Sequence, residues 1–186
     1  MELLTDNALM LKVKNGDLDK MDLLFRRYHR PLFGFLYRMT SQREASEDMV
    51  QNVFYRMLRS RHTFTGKGEF KTWMYHLARN VLKDHSKKNS KIAGHYDVSE
   101  FAERISGGIG ANEAIEKNQE WNILQNALSK LNEENREVLV LSRFQEMKYH
   151  EIATIMNITE GAVKVRIHRA MTQLKNMYSK IESNEM

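Results

Sequence analysis

Lys164, Val165, His168 and Arg169 fall on one side of a helix if the residues after Thr159 wind at about 100° each, opposite Val163, Ile167, Ala170 and Leu174. Two cations, an imidazole and a methyl-bearing side chain suit base-pair edges: Lys and Arg reach guanine acceptors, and an apolar side chain packs on a thymine methyl. A face that met only water has no use for Val165. A second group lies near residue 75. Tyr75, His76, Arg79, Lys83 and Lys87 lie opposite Met74, Leu77 and Val81, and Trp73 and Asn80 share one rim. Basic residues interleaved with aromatics and a side-chain amide suit an unstacked base or a single strand. The same residues also suit a core tryptophan beside a solvated basic face, and the helix alone leaves both readings open. A third group, Glu44, Asp48, Gln51 and Tyr55, lines the polar side of a helix whose other side is Met49, Val50, Val53 and Met57.

Enzymatic chemistry fits poorly. Gly66-Lys67-Gly68 lacks the spacing of a phosphate-cradling loop. His150-Glu151 opens like a zinc-protease helix, but Thr154 stands where the second histidine belongs. Asp84, His85 and Ser86 are consecutive and on a helix point about 100° apart, so they cannot converge as a triad. With no cysteine, thiolate metal sites and disulfides are excluded, and a reducing compartment fits. No catalytic residue, cofactor or metal is expected.

These groups require helices to position them. Ile152-Ala153, then Asn157 and Thr159, then Val163, Ile167, Ala170, Leu174 and Met177 give a helix, a tight turn, an N-cap and a second helix. Asn tolerates the left-handed conformation of such a turn. This is a helix-turn-helix pattern, whose second helix enters a major groove; an αα-hairpin in a bundle shares the apolar spacing but not the basic outer face. Upstream, Asn15-Gly16 stops a first helix and Asp17 is expected to cap the next. There Leu18, Met21, Phe25, Tyr28 and Leu32 form one apolar face, and Pro31 is expected to kink or break it. Ser41 with Glu44 reads as a capping box for a third helix. A fourth runs from about Phe70 to Lys87-Lys88.

The 186 residues hold one proline and nine glycines, four of them between 94 and 110. No strand alternates convincingly, so the fold class is all-α. Two small helical domains, 1–92 and 113–186, are expected on either side of a flexible acidic, Gly-rich linker, 93–112. The net charge of +5 is uneven: +8 over 1–95, −4 over 96–120 and +1 over 121–186. A basic first half points to nucleic acid or another anionic surface. No apolar run reaches the roughly 20 residues of a membrane span, and the first eleven residues carry Glu2 and Asp6 without a base, unlike a signal peptide. A cytoplasmic location is expected.

The runs ASEDMVQNVFYRML (45–58) and FTGKGEFKTWMYHLARNVLKDHSKK (64–88) resemble conserved region 2 of bacterial sigma factors. The run from Ala127 to Met177 resembles region 4 of the same sigma-70 family, and the short chain resembles its extracytoplasmic-function (ECF) group. The resemblance implies a transcription initiation factor that binds core RNA polymerase through the beta-prime clamp helices and the beta flap, recognises promoter DNA and promotes its melting, with an anti-sigma factor as a further partner. It implies core-polymerase contacts for Asp48, Gln51 and Tyr55. It implies minus-ten contacts for Phe64 and Lys67, in the specificity loop, and for Trp73, Tyr75, His76, Arg79, Asn80, Lys83 and Lys87. It implies minus-thirty-five contacts for Thr159, Lys164, Val165, His168 and Arg169. Many relatives carry paired arginines after the melting helix; here His85 and Lys87-Lys88 stand there. Lysine binds phosphate as a point charge, without the bidentate fork.

Overall fold

Thr5 opens helix α1 (Asp6–Lys14) by accepting the Ala8 N–H on Oγ1 at 3.2 Å. Asn15 and Gly16 close it, and Gly16 has a φ of +107° that a side chain rarely adopts. The stop is where the sequence puts it. This computed structural model describes residues 4–93 and 112–185; positions 94–111, the bulk of the expected linker, lie outside the described residues. Among the described residues the structure is helical, without strands. Helices α2 (Lys20–Thr40), α3 (Arg43–Arg59) and α4 (Phe70–Ala93) complete the first module. The second contains α5 (Asn112–Ser129), α6 (Glu133–Leu139), a π-helical stretch (Val140–Phe144), α7 (Tyr149–Met156) and α8 (Glu160–Glu185).

Helix α2 departs from expectation in three ways. It begins at Lys20, so Leu18 precedes it and is exposed; Asp17 pairs with Lys20 at 3.8 Å instead of capping the helix. Its buried face is Met21, Leu24, Leu32, Phe35, Leu36 and Met39, while Phe25 lies at the rim, stacked on His29. Pro31 does not break it. A helix-interior proline costs about 3 kcal/mol, but Leu24 on one side and Leu32, Phe35 and Leu36 on the other are fully buried, and tertiary packing of that face outweighs the cost. Ser41 also departs from its expected role. It sits left-handed, φ 58°, as the C-cap of α2, and its hydroxyl accepts from Gln125 Nε2 at 2.8 Å. Gln42 therefore occupies the N-cap of α3, and no capping box forms.

The core does not stop at the module boundary. Buried residues run from Leu9 and Phe35 through Met74 and Ala78 to Val138, Ile152 and Ile155. Arg136 ties helix ends together: it donates to the carbonyls of Leu128 (2.8 Å), Ser129 (2.6 Å) and Leu131 (2.9 Å) around the end of α5, and to Met39 (2.7 Å) in the last turn of α2. Leu128, Ser129 and Met39 lie in the last turns of their helices, where carbonyls lack an i+4 helical partner, and Leu131 lies just beyond α5. The Arg38 guanidinium lies 4.3 Å from the Phe144 ring centre and 4.8 Å from that of Trp121, so a first-module cation is sandwiched by second-module aromatics.

Candidate nucleic-acid interface

The helix-turn-helix forms as the sequence dictates. Asn157 adopts φ 55°, ψ 50° after α7. Thr159 Oγ1 accepts the Ala162 N–H at 3.1 Å and starts α8. Val163, Ile167 and Ala170 are buried against the rest of the module. The opposite side leaves Thr159, Lys164, Val165, His168 and Arg169 exposed together. Val165 is 48% exposed, an apolar side chain held out among cations. Arg166 lies off this patch and pairs with Glu134 at 3.0 Å, fixing α8 to α6.

On α3 the split is equally clear. Met49, Val50, Val53 and Met57 are buried, and Glu44, Asp48, Gln51 and Tyr55 are exposed, Tyr55 to 61%. Val50 and Gln51 border an open groove of about 490 Å³ shared with Phe25, His29, Arg30 and Phe33 of α2.

Helix α4 corrects the sequence reading. Tyr75, expected on the outward face, is fully buried, and Phe64, expected to contact the minus-ten element, is 2% exposed. Phe64 packs on Trp73 with ring centres 5.3 Å apart and on Phe70 at 6.2 Å, so it anchors the loop. Trp73 is half-buried, its indole N–H 3.4 Å from Thr63 Oγ1. Tyr75 is buried because α4 is covered on two sides. Its hydroxyl donates to Gln145 Oε1 at 2.5 Å, and its ring meets Phe35 edge-on. Gln145 is positioned by the π-helical stretch, where its N–H bonds Val140 C=O at 3.1 Å. Lys71 Nζ donates to Gln145 C=O at 2.5 Å.

One turn further along, Arg79 Nε donates to Glu137 Oε1 at 2.7 Å. Both partners are largely buried. Burial pushes the Glu137 carboxyl above its ordinary range, and the Arg79 guanidinium pulls it part of the way back. His76, Lys83 and Lys87 are exposed, as is Lys67 in the loop, and Asn80 is half-buried. The expected α4 group is therefore divided: His76, Lys83 and Lys87 face solvent, and Tyr75 and Arg79 face the second module. Sequence reasoning missed Glu137 and Gln145, which lie 58 and 70 residues from their partners. The only signals were a carboxylate beside the apolar run Val138–Leu141 and a glutamine after Phe144.

Two modules of this kind, in this order, match known families. Residues 24–92 match Sigma-70 region 2, and residues 121–174 match Sigma-70, region 4. The ECF RNA polymerase sigma-E factor of Haemophilus influenzae is 31% identical over 183 residues, spanning 94% of this chain and 96% of that protein. The chain belongs to the sigma-70 family. Within it the chain stands with the ECF sigma factors. The sigma-E factor of Escherichia coli is 29% identical over 182 residues, 94% of this chain and 95% of that protein. SigW of Bacillus subtilis is 29% identical over 171 residues, 88% and 91%. In three dimensions this sigma-70 chain shares its fold with CnrH, solved in complex with the cytosolic domain of CnrY. The TM-score is 0.73 at 20% identity, with 94% of this chain and 97% of CnrH covered. No helix among the described residues is long and apolar enough to cross a membrane.

Proposed function

We propose that this sigma factor directs core RNA polymerase to promoters by reading the minus-thirty-five element with the exposed face of α8, and opens the minus-ten element with α4 and the loop before it. The observation that carries this reading is the α8 patch, where Lys164, Val165, His168 and Arg169 are exposed together on the second helix of a helix-turn-helix whose opposite face is buried. Such a helix presents side chains to base edges in a major groove. Lys67, His76, Asn80, Lys83 and Lys87, with the free edge of Trp73, supply the minus-ten contacts. Asp48, Gln51 and Tyr55 dock on the polymerase clamp helices. Tyr75 and Arg79 reach DNA only after α4 parts from the second module. In this reading the polymerase performs the chemistry and this chain supplies promoter recognition and opening. It works in the cytoplasm, where polymerase and promoter meet, and an anti-sigma protein restrains it. The solved relative RpoE of Bartonella quintana, held by the anti-sigma factor NepR, is in keeping with such a partner; its TM-score is 0.70.

Two substitutions test the reading. Lys164→Ala or Arg169→Ala is expected to remove roughly 1–3 kcal/mol of discrimination at one upstream base pair, if that side chain reads guanine bidentately. Binding to a panel of single-base promoter variants measures it, and an unchanged preference at every upstream position removes that side chain from base reading. Asp48→Lys reverses a charge on an exposed stripe, so the thermal midpoint is expected to hold while capture by immobilised core polymerase falls. Undiminished capture takes α3 out of the polymerase interface.

A further inference from the structure

Helix α1 presents two separate faces. Leu9, Met10 and Val13 are buried and hold the helix to the core. Asn7, Leu11 and Lys14, spaced four and three apart, form the other face, and all three meet the loop between Phe64 and Phe70. Asn7 Oδ1 accepts the Phe70 N–H at 2.7 Å, and Asn7 Nδ2 donates to the Gly68 carbonyl at 2.9 Å. One amide thereby satisfies a donor and an acceptor at the loop's C-terminal end. Lys14 Nζ donates to the Phe64 carbonyl at 2.6 Å at the other end. Between them, the Leu11 side chain sits 3.3 Å from the place a Cβ would take on Gly66, whose φ is +74°. Glycine adopts that backbone angle without strain, and a Cβ there would require the Leu11 side chain to shift. Loop 64–70 is thus held at its start, middle and end by residues 50 to 63 positions away, while Lys67 remains exposed.

We propose that the Asn7–Leu11–Lys14 face of α1 is a brace that fixes the conformation in which this loop receives an unstacked minus-ten base. The three are positioning residues for promoter opening and for minus-ten specificity, acting through the loop and not by reading DNA. The inference rests on the proposed role of the loop. A base-capturing loop gains from being held beforehand, because ordering it on the flipped base would be charged against opening.

The test uses the full chain with core polymerase. Asn7→Ala and Lys14→Met are compared with the conservative Lys14→Arg and with the loop variant Lys67→Ala. Opening rates are measured on duplex promoters carrying each base at the captured minus-ten position, and amide exchange is followed across residues 64–70. Each neutral hydrogen bond corresponds to a factor of roughly 2 to 12. Asn7→Ala, which loses two, is therefore expected to slow duplex opening about tenfold and to flatten base preference at the captured position. It is expected to speed exchange of the Phe70 amide and to leave upstream preference and polymerase capture unchanged. Lys14→Arg retains the donor and is expected to behave as the parent chain. If Asn7→Ala and Lys14→Met keep the parental minus-ten preference while Lys67→Ala alters it, the brace is overturned and the loop's role stands. If Lys67→Ala and the brace variants all keep parental opening and preference, both fall.

Discussion

Asn80→Ala is expected to slow start-site opening on duplex promoters by roughly 5- to 150-fold and to leave closed-complex binding near its parental value. Unstacking a base costs a few kcal/mol, and the pocket that receives the base must return that energy. Asn80 is half-buried on α4, two turns beyond Trp73 on the same helical side, and Trp73 in turn packs on Phe64 of the loop. A base edge left without its amide partner in such a pocket costs about 1–3 kcal/mol, which corresponds to the factor above. On templates already unpaired around the start site, the flipping cost is met in advance, and the defect is expected to shrink. Recognition-helix variants act on duplex binding and are not rescued in this way. Permanganate reactivity of thymines on duplex and bubble promoters separates the two classes; equal Asn80→Ala defects on both templates return Asn80 to a structural role. Asn80 gives a cleaner test than Phe64, because truncating buried Phe64 also leaves a hole against Trp73 and Phe70.

Glu137→Ala removes the carboxylate that neutralises Arg79 between the modules and is expected to release α4 from α6. Breaking a buried ion pair by deleting one partner costs about 3–5 kcal/mol, because the remaining charge stays desolvated. Arg79 and Glu137 side chains are 17% and 5% exposed, so solvent screens them little. Parting the modules solvates Arg79 but also exposes the shared core around Ala78, Ile152 and Ile155, so the variant is expected to open only as far as the stranded charge outweighs that burial. A pair of spectroscopic labels on α3 and α8 is expected to report a longer mean separation in Glu137→Ala. The double variant Arg79→Met, Glu137→Leu replaces the pair with apolar groups and is expected to restore the short separation. Unchanged label distances in Glu137→Ala would show that the pair does not hold the modules together.

The helix-turn-helix was legible in the sequence because everything that specifies it is local: the Asn157 turn, the Thr159 cap and the Val163–Ile167–Ala170 stripe. Helix α3 was legible for the same reason, its two faces being sorted by a single period. Helix α4 was not. A single-period reading assumes one buried face, and α4 is packed on one side by the first module and on the other by α7, with Glu137 and Gln145 reaching its side chains. Tyr75 therefore read as outward, and its partner Gln145 was invisible. In α2 the apolar residues are dense enough for two phases, and packing against α1, α3 and α5 selects the one led by Met21 and Leu24. Ser41 carried a cap signature, but Gln125, 84 residues away, takes its hydroxyl. The Asn7 amide likewise meets partners that no local pattern announces.

Run-off transcription with purified core polymerase, over a library of random upstream sequence, tests promoter-directed initiation most directly. Addition of this chain is expected to yield discrete starts that share two sequence elements. Lys164→Ala or Arg169→Ala is expected to relax only the upstream element, and Asn80→Ala only the downstream one. Transcripts with no shared element, or a chain that binds the polymerase and leaves its start sites random, would contradict that role.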